Sequence, residues 1–152
     1  MDMPVSKKPP VALGGLADTL GFPIRLVQVA IFKDFATELG SLGVTPAIFS
    51  VMEVLRANPG ITQSKLAATV RLDRSSVVPM LDKLEKRGIV ARRASTTDRR
   101  HNHLYLTEAG ERLLGQAVKR VRAHDKRMSA ALSPEERETL IGLLGKLTQA
   151  KP

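Results

Sequence analysis

The segment 62–88, TQSKLAATVRLDRSSVVPMLDKLEKRG, holds two helix signals with almost no chain between them. Thr62 and Asp73 each stand where a side-chain oxygen can accept the free N–H groups of a first helical turn. Only Arg71 and Leu72 lie between Val70 and Asp73, so the turn between the helices is tight. In the second helix Val77, Leu81 and Leu84 recur at helical spacing and give it one buried face. Gly88 suits the left-handed position past a helix end, with Lys86 and Arg87 near the negative end of the dipole. Directly downstream, GIVARRAS and HNHLYL read as two strands led by Ile89/Val90 and Leu104/Leu106, with TTDRR as the loop between them. A helix, a tight turn, a helix and a hairpin make a winged helix-turn-helix unit.

The flanks read as helix. Residues Leu16 to Leu39 form one long apolar segment, with Pro23 a kink or a restart near its beginning and Gly40 and Gly43 as its end. Thr45 caps a second helix with Pro46 at its first position, running to about Ala57 and burying Ile48, Val51, Met52 and Leu55. Thr107 caps a long helix to about Ala131. Ser133-Pro134-Glu135-Glu136 is a capping box that starts a last helix, whose stripe is Leu140, Ile141, Leu144 and Leu147. The expected fold is mainly α with a small β-hairpin wing, in the order α-α-α-α-β-β-α-α. The expected organisation is a flexible arm (1–15), a dimerisation helix (16–44), the winged unit (45–106) and dimerisation helices (107–150). The outer helices have broad apolar faces and no second domain to bury them, so a homodimer is the economical solution.

Charge points to the partner. The 152 residues carry a formal net charge of +9. Residues 62–107 hold ten Lys/Arg against four Asp/Glu, so the winged unit carries most of the excess. That favours a polyanionic partner, whether nucleic acid, an anionic membrane surface or an acidic protein. Charge alone does not choose among them, and the winged unit is what points to double-stranded DNA. There is no cysteine, which excludes disulfides, thiol redox sensing and thiolate zinc sites. No run of about 18 apolar residues appears, so no membrane span is expected and the protein reads as soluble and cytoplasmic. No phosphate-binding glycine loop, nucleophile elbow or HExxH occurs; neither an enzyme nor a cofactor is expected.

On a helical wheel Ser75, Pro79, Asp82 and Lys86 fall opposite the Val77/Leu81/Leu84 stripe. Pro79 therefore faces outward, and the carbonyl of Ser75, which it leaves without a donor, can meet water. Either its ring reads a thymine methyl in a major groove, or it is a tolerated kink. Arg74, Ser75 and Ser76 form the first turn, the part of a recognition helix that reaches base edges, and Lys83 lies further along the same helix. Arg99 and Arg100 sit at the hairpin tip, where a minor groove accepts arginine. Asp98 would repel phosphate there unless it orients an arginine. His101 and His103 share a strand face and read as phosphate contacts rather than metal ligands.

DRRHNHLYLTEAG resembles the wing-to-helix signature of the MarR family of transcriptional regulators. The matching positions are Asp98, Arg100, Leu106, Thr107 and Gly110. LDRSSVVPMLDKLEKRGIVARR, LGVTPAIFSVMEVL and GITQSKLAATV are similar to the same family's recognition helix and the helices before it, so the resemblance spans roughly residues 16–148. It implies a homodimer built by the first and last two helices, two winged units on a pseudo-palindrome, and Arg100 as a wing arginine held by Asp98. It also implies a repressor released by a small molecule, often an aromatic acid. GFPIRLVQVAIFKDF is similar to the first helix of members that answer aromatic acids or their coenzyme A thioesters. On that reading Phe22, Phe32 and Phe49 line a pocket and Arg25 receives an anion; otherwise the rings are dimer core. Lys119, Arg120 and Arg122, in the run KRVRAHDKR, are either a clamp for coenzyme A phosphates or a solvated face. The rival to a ligand-released repressor is an architectural DNA binder with no effector.

Overall fold

The computed structural model describes residues 11–95 and 102–149. Among the described residues six α-helices and three short strands follow one another: α1 (Gly21–Leu39), α2 (Pro46–Ala57), β1 (Ile61–Thr62), α3 (Gln63–Val70), α4 (Arg74–Lys86), β2 (Val90–Ala94), β3 (Asn102–Leu106), α5 (Glu108–Met128) and α6 (Pro134–Gln149). The order matches the expected winged helix-turn-helix between helical flanks.

Local chemistry sets the ends. The Thr45, Thr62, Asp73 and Thr107 side chains accept from the backbone N–H of Ile48, Lys65, Ser76 and Gly110. Ser133 and Glu136 cap α6 reciprocally, at 2.8 and 3.2 Å. The α4 end is a Schellman motif: Gly88 lies at φ 70°, its N–H donates to Glu85, and that of Ile89 donates to Leu84. Arg71 turns the chain between α3 and α4 at φ 52°.

Four details differ from the expectation. The first long helix starts at Gly21, after a separate 3₁₀ turn at Gly14–Asp18 and an extended Thr19. Pro23 thereby falls in the first turn, where no N–H is needed. The hairpin gains a third strand: β1 pairs antiparallel with β3, Ile61 opposite Leu104, giving the order β1-β3-β2. Two residues are too few to show alternation. The fifth helix stops at Met128, and Ile48 is only half-buried.

One core lies inside the winged unit, where Val51, Met52, Leu55, Leu66, Leu81 and Leu104 are fully buried. A second joins Phe35 and Leu39 of α1 to Val44 and Ala117. The α5 helix serves both, through Leu114 in the first and Ala117 in the second. The α6 helix buries nothing. It and α1 leave large apolar side chains in solvent, Leu26 at 55%, Ile141 at 54% and Phe32 at 50% exposed.

Candidate DNA interface and effector site

The exposed side of α4 is built from its cap outward. Asp73 Oδ1 accepts from the Ser76 N–H at 2.8 Å and from Ser75 Oγ at 2.6 Å. These bonds, the Ser75 hydroxyl foremost, hold the Asp73 carboxyl below its ordinary range. Arg74, Ser75, Ser76 and Pro79 are all exposed, and the Val77/Leu81/Leu84 stripe is buried beneath them. A cleft of about 250 Å³ between α3 and α4 brings Gln63 and Ser64 beside Arg74. Sequence reading passed over those two polar residues, although their place at the start of α3 was the available signal. Asp98, Arg99, Arg100 and His101 lie outside the described residues. His103 does not face outward as a phosphate contact. It is half-buried, and its Nδ1 sits 2.7 Å from the Gly60 carbonyl, where it must be the donor because a carbonyl only accepts.

Lys83 is separated from the α3–α4 cleft. With Arg87 it borders a cavity of about 390 Å³, floored by Phe35, Ala36, Val44, Pro46 and Ile48, with Thr45 at its edge. Arg87 also pins α4 to the turn after α1, donating to the carbonyls of Gly43 and Leu42 at 3.0 Å each. The cavity is therefore apolar inside, cationic at one side, and in direct contact with α4. That combination suits an apolar acid.

The aromatic residues named from sequence do not share one pocket. Phe32 lines an apolar groove of about 470 Å³ with Ile24, Val27, Leu140, Leu144 and others of α1 and α6. Phe49 instead packs edge-on to Phe35, 6.3 Å between centroids. Phe22 is half-buried at the start of α1, and Arg25 is exposed.

The basic run divides in the same way. Arg120 donates to the Glu38 carbonyl and to Ser41 Oγ, which fixes it against the end of α1. Arg127 bridges Asp34 and Glu38 at 2.9 and 2.7 Å. His124, to which sequence reading gave no role, is buried, 2.6 Å from Asp34 and edge-on to Phe35. The hydrogen bonds from His124 and then Arg127 hold the Asp34 carboxyl below its ordinary range. Lys119 and Arg122 stay exposed. Among the described residues no group of three His, Asp or Glu side chains could hold a metal, and no single helix is long and apolar enough to cross a membrane.

Comparison with known proteins agrees with this geometry. The MarR family profile matches residues 44–101. A protein of Thauera aromatica, assigned to transcriptional regulation of the hcr operon, is 42% identical over 135 residues, 88% of this chain and 81% of its own. The transcriptional repressor CouR bound to a 23-mer DNA duplex superposes with a TM-score of 0.87 at 36% identity, covering 91% of this chain and 99% of CouR. CouR bound to p-coumaroyl-CoA gives 0.85 at 33%, covering 93% and 99%. The PcaV regulator of Streptomyces coelicolor with its natural ligand gives 0.84 at 26%, covering 92% and 99%. The relatives are transcriptional regulators, and on this sequence and this fold the chain belongs to the MarR family.

Proposed function

We propose that the protein is a dimeric repressor of genes for the breakdown of aromatic compounds, released from a pseudo-palindromic operator by an aromatic acid or its coenzyme A thioester. The observation that carries this reading is the likeness of one chain to CouR in both a DNA-bound and an acyl-CoA-bound structure. Arg74, Ser75, Ser76 and Pro79 present the exposed face of α4 to a major groove. Arg99 and Arg100, oriented by Asp98, serve the adjacent minor groove. A second copy covers the α1–α6 groove, as two-fold pairing of like surfaces requires. The units proposed for these tasks are the winged unit, 45–106, and the helices flanking it on either side.

The effector's ring enters the cavity beside α4, and Lys83 and Arg87 attract its anionic end. Occupation there changes the seat of the recognition helix, which is the link from ligand to DNA. Lys119 and Arg122 remain the candidates for coenzyme A phosphates, with Arg120 holding the α1 end. A displacement assay decides between the ligands. Labelled DNA from the upstream region is bound, then aromatic acids and their thioesters are added. Release by free acids, weakened by Lys83→Gln, supports the cavity. Release by thioesters alone moves the ligand to the basic run, and no release by either overturns the ligand reading.

A further inference from the structure

Asp82 and Glu85 are three residues apart on α4, inside the most basic part of a chain that must approach phosphate. On one helix face two carboxylates at this spacing repel each other. Both turn to the same guanidinium: Arg92 Nη1, on β2, lies 2.7 Å from Asp82 Oδ1 and 2.6 Å from Glu85 Oε2. The Arg92 side chain is only 17% exposed, whereas the acids are about half exposed. Next along the strand, Arg93 stacks over the ring of Tyr105 on β3, 4.6 Å from its centroid. Five consecutive pairs, Val90–Leu106 to Ala94–Asn102, join β2 to β3. A constraint on Arg92 is therefore passed to both strands.

We propose that Arg92 is a positioning residue for DNA binding: by bridging Asp82 and Glu85 it fixes the direction in which the β2–β3 hairpin leaves the recognition helix. The guanidinium suits this because it is planar, always charged and largely covered. Its role is not to contact DNA, since its charge is already spent on two acids. With the bridge broken, the helix still enters its groove while the hairpin swings relative to it. This inference rests on the DNA-binding reading, and the test separates the two.

Operator affinity and footprints are measured for the full-length protein, for Arg92→Met, for Arg92→Lys and for the Asp82→Asn/Glu85→Gln pair. The pair is the informative variant, because it leaves Arg92 in place and makes the winged unit two charges more positive. Simple electrostatics then predicts tighter binding. A positioning role predicts the opposite: both Arg92→Met and the paired variant bind about tenfold more weakly, a change of about 1.4 kcal/mol. Protection at the outer, hairpin-facing edges of the footprint is lost first, while the central major-groove protection persists. Arg92→Lys recovers part of the loss. Tighter binding by the paired variant, or a uniformly weakened footprint, overturns the inference. If the unaltered protein fails to bind operator DNA at all, the DNA-binding reading falls, and this inference falls with it.

Discussion

Gly110 explains at atomic scale why the Thr107-x-x-Gly110 pattern has a glycine. A Cβ there would stand 2.3 Å from the Ile89 carbonyl oxygen and 2.8 Å from Leu106 Cδ1. The first contact is with backbone, so it cannot be relieved by a side-chain rotation. Gly110→Ala is expected to destabilise by about 1–3 kcal/mol, the range for overpacking in a core, read from urea midpoints. Thr107, the other half of the pattern, does three things with one hydroxyl. It accepts from the Gly110 N–H and lies within donating distance of the carbonyls of Gly88 and Ile89. Thr107→Ala is expected to cost about 1 kcal/mol as a lost cap. Asp34 gives a pH signature. Its carboxyl is held low in the folded state, chiefly by His124 and Arg127. Its stabilising effect is therefore full above the ordinary aspartate value of about 4 and is lost as pH falls through the lower folded value. The unaltered protein should lose its stability advantage over Asp34→Asn as pH falls below about 4. An advantage that held constant down to pH 2 would refute this.

At the scale of elements, α4 shows how far patterning carries. Its cap, its buried stripe and its glycine stop were all legible, because each is a short-range requirement that one residue type meets. Pro79 was legible as exposed for the same reason, and it is exposed. Pro79→Ala gives the Ser75 carbonyl a helical donor. Stability should rise by about 1 kcal/mol, less than the ~3 kcal/mol difference between the residues in a helix interior. If the ring reads a base, operator affinity falls in the same variant; if it is only tolerated, affinity does not change. Other features were not legible. The β1 strand is two residues whose pairing partner lies some forty residues away. The cavity by α4 combines side chains from α1, α2 and α4, and nothing in the sequence brings Phe35 and Lys83 together. The Phe22, Arg25, Phe32 and Phe49 set was drawn from one stretch of chain. The fold instead sends Phe32 to the α1–α6 groove and Phe49 to the Phe35 core. Nearness in sequence does not decide which side chains the fold brings together, and within one chain Phe32 and Phe49 are parted.

For the molecule as a whole, the unburied faces of α1 and α6 are the largest unmet demand of the fold. Leu20, Ile24, Val27, Leu140, Leu143 and Leu147 line one continuous apolar groove. The second copy proposed above would meet that demand, and would also set two α4 helices at the spacing of successive major grooves, about 34–36 Å apart. Leu144→Arg should shift the protein from dimer to monomer in sedimentation and abolish tight operator binding while leaving the winged unit folded. The central claim, that this chain is a sequence-specific regulator, is tested most directly by one comparison. Anisotropy is measured for labelled upstream DNA with a pseudo-palindrome and for the same base pairs scrambled, at one fixed salt concentration. The account predicts a preference of about a thousandfold or more for the pseudo-palindrome. Equal affinity for both duplexes would contradict it and leave an architectural DNA binder in its place.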